Sequence, residues 1–322
     1  MKNKGIVIFL IFLAIIIAGI IAADFISKMP DNRPDNPYEL NIDEFSRVDT
    51  SLILYKEQRN FKLNFDSLAG ISYCNNKIYI VGDSRLQIIE STGKLVSEIN
   101  LDEQPTCVFA SPENVIIGNK RSVSVLKADG SKSGDWKEFS DSTVITSVAE
   151  RSGKVFVADA GKRKVWIFNL EGNKLGEFDG KTTSNQIHGF IIPSPYFDLA
   201  FNPDGELWVV NPGKHSLENY TTEGELRTFW ESQSIKTEGF SGCCNPAHFA
   251  FAPDGSFVTS EKSLVRVKIY KPSGEFIGVV APPTLFKTDG HAPDLAVDNQ
   301  GDVYALDFDK KVIRLFVKKQ KL

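Results

Sequence analysis

The side chains in this sequence that could most readily do chemistry are its histidines and cysteines, and both are scarce. The 322 residues include four His and four Cys. The adjacent thiols of Cys243 and Cys244 lie close to His248 along the chain. A neutral imidazole with carboxylates suits a divalent ion, and thiolates beside it would favour zinc or copper. This stretch is therefore the first candidate for a metal or redox site.

The Cys243 and Cys244 pair allows three interpretations. A disulfide between neighbours closes a small ring that strains the intervening peptide, so such bridges are redox-labile. Alternatively, the two thiolates bind a soft metal together with His248. In the third interpretation, one or both thiols are simply buried in a tight turn before Pro246. The sequence alone leaves all three open.

A repeated pattern determines how these residues must be positioned. Several segments share an apolar triplet, a turn such as Pro-Asp-Gly, and a second apolar strand. Four clear copies begin at Ser147, Asp198, His248 and Asp294, and two weaker ones begin at Gly70 and Cys107. Glycines at later turns recur roughly every 40 to 50 residues, a period typical of propellers and solenoids. The sequence therefore contains six repeating units.

Each unit is predicted to form β-strands rather than helices. The apolar runs are short, rich in Val, Ile, Phe, Tyr and Trp, and bounded by Asn, Asp and Gly turns. Six such units predict an all-β, six-bladed β-propeller, in which four-stranded sheets stand around an axis. The last unit lacks a fourth strand after residues 312–317. An upstream stretch at 51–55 or 61–65 is expected to supply that strand and close the ring.

The repeat brings distant residues to one place. The residue just before each apolar triplet should border the central channel, so Asp198, His248 and Asp294 should lie at one level of the channel mouth. His188 and His291 lie on loops just upstream of later units. We predict that a protein or small-molecule ligand binds at Asp198, His248, Asp294, His291 and His188.

The same group of residues predicts a metal site. A divalent metal, zinc or copper, would be held by Asp198, His248, Asp294, Cys243 and Cys244. In the alternative interpretation, Asp198 and Asp294 accept hydrogen bonds from backbone N–H groups at the strand starts, and His248 is simply paired with one of them. His215, in a turn further along the fourth unit, is expected to be solvated.

These motifs resemble the NHL-repeat family of six-bladed propellers. Its unit combines an apolar-Ala-apolar triplet with a strand ending in Val-x-Asp, as in Leu199-Ala200-Phe201 and Val157-Ala158-Asp159 here. The resemblance covers roughly residues 45 to 320 and implies the propeller fold. Among similar propellers, peptidylglycine amidating lyase holds zinc through channel-mouth histidines from several blades. Only His248 matches that pattern here, because carboxylates occupy the other positions.

The N-terminal segment predicts that the protein is attached to a membrane or exported across it. Lys2 and Lys4 precede an apolar run from Gly5 to Ala23 that just crosses a hydrocarbon layer of about 30 Å. The positive end should stay inside, which places the propeller on the extracytoplasmic side, in the periplasm or outside the cell. Signal cleavage near Ala22 or Ala23, with secretion, is the alternative. The expected domains are an anchor or signal segment (1–24), a Pro-rich tether (25–44) and the propeller (45–322).

The net charge and the absence of certain motifs argue against several classes of function. The formal net charge of -4 gives no broad positive field, so nucleic acid is not an expected partner. The sequence contains no G-x-S-x-G, P-loop or C-x-x-C-H motif. We therefore expect a membrane-tethered extracytoplasmic propeller that binds a ligand or protein partner at its channel mouth. The alternative is a metal-dependent lyase-like enzyme, or a thiol-redox enzyme, that uses the Asp/His/Cys cluster.

Overall fold

The computed structural model describes residues 3–27, 45–136, 139–181 and 189–320. The chain divides into two compact units, Met1–Asn41 and Ile42–Leu322. In the first unit, helix α1 spans Asn3–Ser27. Its segment Lys4–Phe25 is 22 residues long and apolar enough to cross a membrane, since that length rises about 33 Å. The helix can therefore serve as a membrane anchor or as a signal sequence.

The second unit is built from antiparallel strands in six four-stranded sheets. Strand β1 (Tyr55–Lys62) comes first along the chain and belongs to the sixth sheet. The first sheet contains β2 (Leu68–Cys74), β3 (Lys77–Gly82), β4 (Arg85–Glu90) and β5 (Leu95–Asn100). The second contains β6 (Pro105–Ala110), β7 (Asn114–Asn119), β8 (Val123–Lys127) and β9 (Lys132–Trp136). The third contains β10 (Ile145–Arg151), β11 (Lys154–Asp159), β12 (Lys164–Asn169) and β13 (Lys174–Phe178).

The remaining three sheets follow the same order along the chain. The fourth contains β14 (Leu199–Phe201), β15 (Leu207–Asn211), β16 (Ser216–Tyr220) and β17 (Leu226–Glu231). The fifth contains β18 (His248–Phe251), β19 (Phe257–Ser260), β20 (Val267–Tyr270) and β21 (Phe276–Ala281). The sixth contains β22 (Asp294–Val297), β23 (Val303–Asp307) and β24 (Val312–Lys318). Short 3₁₀ turns occur at Thr50–Leu52, Pro212–Lys214 and Pro283–Leu285.

The six sheets stand around a common axis, which confirms the predicted six-bladed β-propeller. Each innermost strand contacts the next one around the axis, and the last contacts the first, in the order β2, β6, β10, β14, β18 and β22. The second strands β15 and β23 are buried throughout, because sheets pack on both of their faces. Phe156, Phe197 and Leu207, for example, are buried together between the third and fourth sheets. This packing explains the apolar character of the repeats.

The sixth sheet is completed by the N-terminal strand of the unit. Its order is β1, β24, β23, β22, and β1 runs antiparallel to β24, from Tyr55 opposite Lys318 to Lys62 opposite Val312. The strand thus overlaps both stretches considered from the sequence, the first at Tyr55 and the second at Phe61 and Lys62. Arg314 of β24 donates to Asp307 Oδ2 of β23 at 3.0 Å and to Glu57 Oε1 of β1 at 2.8 Å. One buried guanidinium therefore links three strands of the closing sheet.

Glycines at the turn before the fourth strand let each sheet pack closely on the one before it. Gly172 has a φ of +85°, and a Cβ there would lie 2.4 Å from Cδ1 of Trp136. Gly224, at φ +95°, would place a Cβ 2.6 Å from Phe178. Only glycine combines this left-handed backbone with so little space. The corner glycines, as we call them, are Gly93, Gly130, Gly172, Gly224 and Gly274.

Polar residues at the ends of the second strands, or just after them, fix the loops around the channel mouth. Asp159 Oδ1 accepts a hydrogen bond from the Val144 backbone N–H at 2.9 Å, and Asp309 Oδ2 accepts one from the His291 N–H at 2.8 Å. Equivalent bonds join Asn211 to Ile191, Glu261 to Ser241, and Asp83 to Ser67. Because these bonds hold the loops that precede the inner strands, they define the rim of the channel.

Candidate functional site

A pocket of about 650 Å³ lies at the channel mouth, and all six repeats contribute to its lining through inner strands or neighbouring loops. We call it the mouth pocket. Its walls combine apolar side chains such as Leu68, Ile145 and Phe308 with the polar groups of Asp66 and Asp309. The lining residues are 66–69, 105–106, 144–146, 195–196, His248, His291 and 308–309. A pocket of this size and mixed polarity is suited to a small molecule.

A second cavity, of about 230 Å³, lies along the channel between the inner strands. Asp198, His248 and Asp294 line this channel cavity, together with apolar residues of the same strands. Of the three, His248 alone also lines the mouth pocket. The imidazole therefore lies between the two spaces, and a ligand in the mouth pocket would meet it first.

The structure brings Asp198, His248 and Asp294 together, because each lies at or just before the start of an inner strand. His248 Nδ1 lies 3.7 Å from Asp198 Oδ2 and 3.7 Å from Asp294 Oδ1. These distances are longer than hydrogen bonds. All three side chains are less than one fifth exposed. The three residues therefore form a compact polar group, which we call the channel triad.

Backbone N–H groups orient both carboxylates of the channel triad. Asp198 accepts from Leu199 at 2.9 Å and from Phe249 at 3.0 Å. Asp294 accepts from Leu295 at 2.8 Å and from Ile71, across the ring, at 2.9 Å. This matches the alternative interpretation of these aspartates. The same bonds leave lone pairs on both carboxylates for a further partner.

The two carboxylates and the imidazole perturb one another. Burial raises the pKa of Asp294 to about 6; the nearby His248 lowers it and the Asp198 charge raises it. Burial lowers the pKa of His248, but Asp198 and Asp294 outweigh that effect, so its pKa lies above the ordinary value. Two buried carboxylates thus compete for one imidazolium. Positive charge brought by a ligand or an ion would be stabilised here.

The channel triad could also hold a metal ion. One ligand atom from each residue lies within 4.8 Å of the others. Ligands bound at zinc-like distances in a tetrahedron lie roughly 3.4 Å apart, so the three ligand atoms would have to move closer together to bind the ion. The imidazole nitrogen and two carboxylate oxygens are donors that zinc accepts. Among the described residues, this group includes neither Cys243 nor Cys244.

The other half of the ring is made of small or uncharged side chains. The equivalent positions in the first three sheets are Gly70, Cys107 and Ser147. A Cβ on Gly70 would lie 3.1 Å from the Cys107 backbone and 3.4 Å from Asp294 Oδ2. Burial raises the pKa of Cys107 to about 12, so this thiol stays protonated. At this level of the channel, the charged side chains therefore lie on one side only.

Tyr196 and Lys262 form a neighbouring part of the site that sequence reasoning missed. The Tyr196 ring packs edge-on against His248, with centroids 5.4 Å apart. Lys262 Nζ lies 5.5 Å from the Tyr196 centroid, over the ring face. The sequence did contain one signal for Tyr196, because an aromatic residue stands two positions before Asp198. It contained no signal for Lys262, because that residue follows a strand of another sheet.

The other predicted histidines have different positions. His291 lines the mouth pocket, but its Nδ1 pairs with Asp309 Oδ1 at 3.0 Å and its side chain is 67% exposed. It is therefore at the rim and outside the channel triad. His188 lies outside the described residues. His215 is buried rather than solvated, because its Nδ1 contacts the Asn245 carbonyl at 2.9 Å.

Cys243 and Cys244 lie on a loop beside the mouth pocket. Both thiols are free, with Sγ atoms 3.0 Å apart. Cys243 is exposed and Cys244 is buried. Ser194 and Lys262 neighbour the Cys244 thiol, and these residues adjoin Tyr196. The pair is thus near the pocket wall, and its disulfide remains a prediction.

Comparisons with known proteins support the fold of this chain and nothing finer. No protein-family model matches the chain, and no curated protein matches it. Among solved structures, a streptogramin B lyase is similar, with 10% identity, a TM-score of 0.58, and coverage of 84% of this chain and 100% of that one. A virginiamycin B lyase from Staphylococcus aureus has 14% identity, a TM-score of 0.51, and coverage of 83% and 90%.

A third similar structure is a protein of unknown function from Bacteroides thetaiotaomicron, with 15% identity, a TM-score of 0.58, and coverage of 82% of this chain and 73% of that one. At such low identity, these likenesses show the propeller fold alone. The NHL-repeat resemblance therefore stays a prediction about family.

Proposed function

We propose that this protein is a membrane-tethered, extracytoplasmic propeller that binds a small molecule in the mouth pocket. The observation that carries this proposal is a pocket of about 650 Å³ lined by strands and loops of all six repeats, with His248 of the channel triad among its lining residues. Converging loops on a stiff ring supply varied side chains at fixed positions. Apolar walls would bury the ligand body, and Tyr196, His248 and His291 would contact its polar groups.

Binding is tested by screening a small-molecule library for thermal stabilisation of the full chain in detergent. We expect hits whose stabilisation is lost in His248→Ala and in Tyr196→Ala. Leu175→Ser, on the outer strand β13, is the control because Leu175 is exposed and far from the lining residues. Hits that bind both pocket variants as tightly as the unmodified protein would contradict the proposal.

The membrane tether rests on the apolar helix Lys4–Phe25 and on the basic residues before it. We expect the full chain to remain in the membrane fraction after alkaline extraction, and a chain without residues 1–27 to be released. Protease added to cells stripped of any outer envelope, so that only the cytoplasmic membrane is intact, should digest the propeller if it faces outward. Protection from that protease would overturn the proposed side, and a cleaved N-terminus would instead indicate secretion.

The second candidate function is a metal-dependent, lyase-like enzyme. The observation that favours it is the channel triad, whose three ligand atoms lie within 4.8 Å of one another. Three protein ligands that leave one position for water or substrate are typical of catalytic zinc. The channel triad would hold the ion, and the substrate would reach it through the mouth pocket.

Elemental analysis and calorimetric titration with Zn²⁺ and Cu²⁺ separate the two functions. The enzyme candidate predicts one ion per chain, bound by the unmodified protein and lost in His248→Ala. His291→Ala is the matched control, because this histidine is at the rim. If neither ion binds the unmodified chain, the metal-dependent function is wrong and ligand binding by the mouth pocket stands alone.

A further inference from the structure

We propose that Cys243 and Cys244 form a thiol–disulfide exchange site, in which an external disulfide oxidises the pair to a bridge between neighbours. This inference goes beyond ligand binding and does not depend on it. Adjacent side chains in extended backbone point to opposite faces. Here the two Sγ atoms are 3.0 Å apart, so the loop holds both thiols on the same side.

The loop that carries the thiols is held on both sides. Asn245 donates from Nδ2 to the Ser241 carbonyl at 2.7 Å and accepts at Oδ1 from the Lys262 N–H at 2.9 Å. Its own carbonyl contacts His215 Nδ1 at 2.9 Å. Glu261, which is fully buried, accepts from the Ser241 N–H at 3.2 Å. The two sulfurs are therefore preorganised rather than brought together by chance in a mobile segment.

The two thiols differ in access, which assigns them different parts in the exchange. Cys243 is exposed, whereas Cys244 is 1% exposed. Burial raises the pKa of Cys244, but the Cys243 and Ser194 side chains and the Lys262 charge lower it more, so its pKa lies below the ordinary value. The exposed sulfur can meet an external disulfide, and the buried one can then resolve the product.

The exchange has two steps. Cys244 first loses its proton to solvent. Cys243 then attacks one sulfur of the external disulfide, passes its own proton to the Cys244 thiolate, and releases the first external thiolate, leaving a mixed disulfide. Cys244 then loses a proton to solvent, and its sulfur attacks Cys243 and releases the second external thiolate. Both released thiolates take up protons. In total, two cysteine thiols and one disulfide become one Cys243–Cys244 bridge and two external thiols.

The test equilibrates the full chain in detergent with glutathione buffers of increasing oxidised fraction, followed by acid quenching, alkylation and peptide mass analysis. We expect the peptide 237–262 to become two hydrogens lighter and to lose both alkylation sites. The unmodified protein should carry no lasting glutathione adduct. Cys74 and Cys107 serve as internal controls, because their alkylation after unfolding should not change.

Two variants separate the proposed parts. Cys244→Ser should accumulate a glutathione adduct at Cys243, because no second thiol resolves it. Cys243→Ser should carry no adduct at the buried Cys244. The proposal is overturned if the unmodified chain keeps both thiols alkylatable across the whole buffer range. A stable adduct at Cys243 in the unmodified chain would overturn it as well, since the pair would then not close.

Discussion

Three charged residues in and beside the connection between β19 and β20 are fully buried and hold the loop that leads to the cysteine pair. Glu261 accepts from Arg266 Nε at 2.7 Å and from Lys268 Nζ at 3.0 Å. Lys268 also donates to the Gly239 carbonyl. Two cations thus share one carboxylate without access to water. Removing the carboxylate is therefore a different change from removing one of the cations.

Glu261→Gln should destabilise the propeller far more than Lys268→Met. The first change leaves two buried cations without a counter-charge, for which we expect a loss of about 3 to 5 kcal/mol. The second leaves the Glu261–Arg266 pair neutral, and we expect a loss of about 1 kcal/mol. Urea unfolding followed by circular dichroism measures both values. Equal losses in the two variants would show that charge balance does not govern this cluster.

The same lysine predicts a dependence of stability on pH. Burial lowers the pKa of Lys268 from 10.5 to about 8. Between those values the unfolded chain binds a proton that the folded chain has released, so stability rises with pH. Relative to Lys268→Met, the unmodified protein should gain up to about 3 kcal/mol from pH 8 to pH 10.5. A stability difference that stays constant across this range would contradict the lowered pKa.

The channel triad could be found from the sequence because its members occupy one position of a repeat. The alignment of Asp198, His248 and Asp294 follows from apolar triplets that any propeller of this kind must have. The buried cluster of Glu261, Arg266 and Lys268 could not be found in this way. It depends on a loop peculiar to one unit, and charged residues of that spacing normally lie on a solvated strand face.

At the scale of elements, the corner glycines couple each sheet to its neighbour. They were visible in the sequence as the markers of the repeat period. Their physical role was not, because it depends on the side chain of another sheet, such as Trp136 beside Gly172. The spacing of these glycines in the sequence predicted the turns, whereas the contact between sheets could be seen only in the structure.

Gly172→Ala should therefore cost more stability than Gly153→Ala. Both glycines have positive φ, at +85° and +76°, so both substitutions strain the backbone by about 1 kcal/mol. A Cβ at Gly153 meets nothing within 4 Å, whereas at Gly172 it meets the Trp136 ring at 2.4 Å. We expect an additional loss of about 1 to 3 kcal/mol at Gly172. Similar denaturation midpoints for the two variants would show that the indole moves aside freely.

At the scale of the whole molecule, β1 completes the sixth sheet and so closes the ring. The sequence predicted that an upstream strand closes the ring, but it offered two stretches, because short alternating runs there look alike. The register of Tyr55–Lys62 against β24 is set by long-range contacts such as Glu57 with Arg314. Such contacts between distant segments cannot be read from a local pattern.

A pair of truncations tests the role of β1. A chain that begins at residue 45 keeps every strand of the propeller and should unfold in one cooperative transition. A chain that begins at residue 63 lacks β1 and leaves Arg314 without Glu57. We expect the second to melt at least about 10 °C lower, or to lose its cooperative transition. Equal melting temperatures by calorimetry would show that closure by β1 adds little.

The link between Glu57 and Arg314 joins points 257 residues apart. Bringing such distant points together costs chain entropy of about 5 kcal/mol, and pairing across this separation is slow. During refolding, before β1 has paired with β24, the backbone N–H and C=O groups along the edge of β24 have no partner strand. The β1 segment of another copy can then pair with that edge. Recovery of single molecules from denaturant should consequently fall as protein concentration rises, with exchanged dimers appearing in their place.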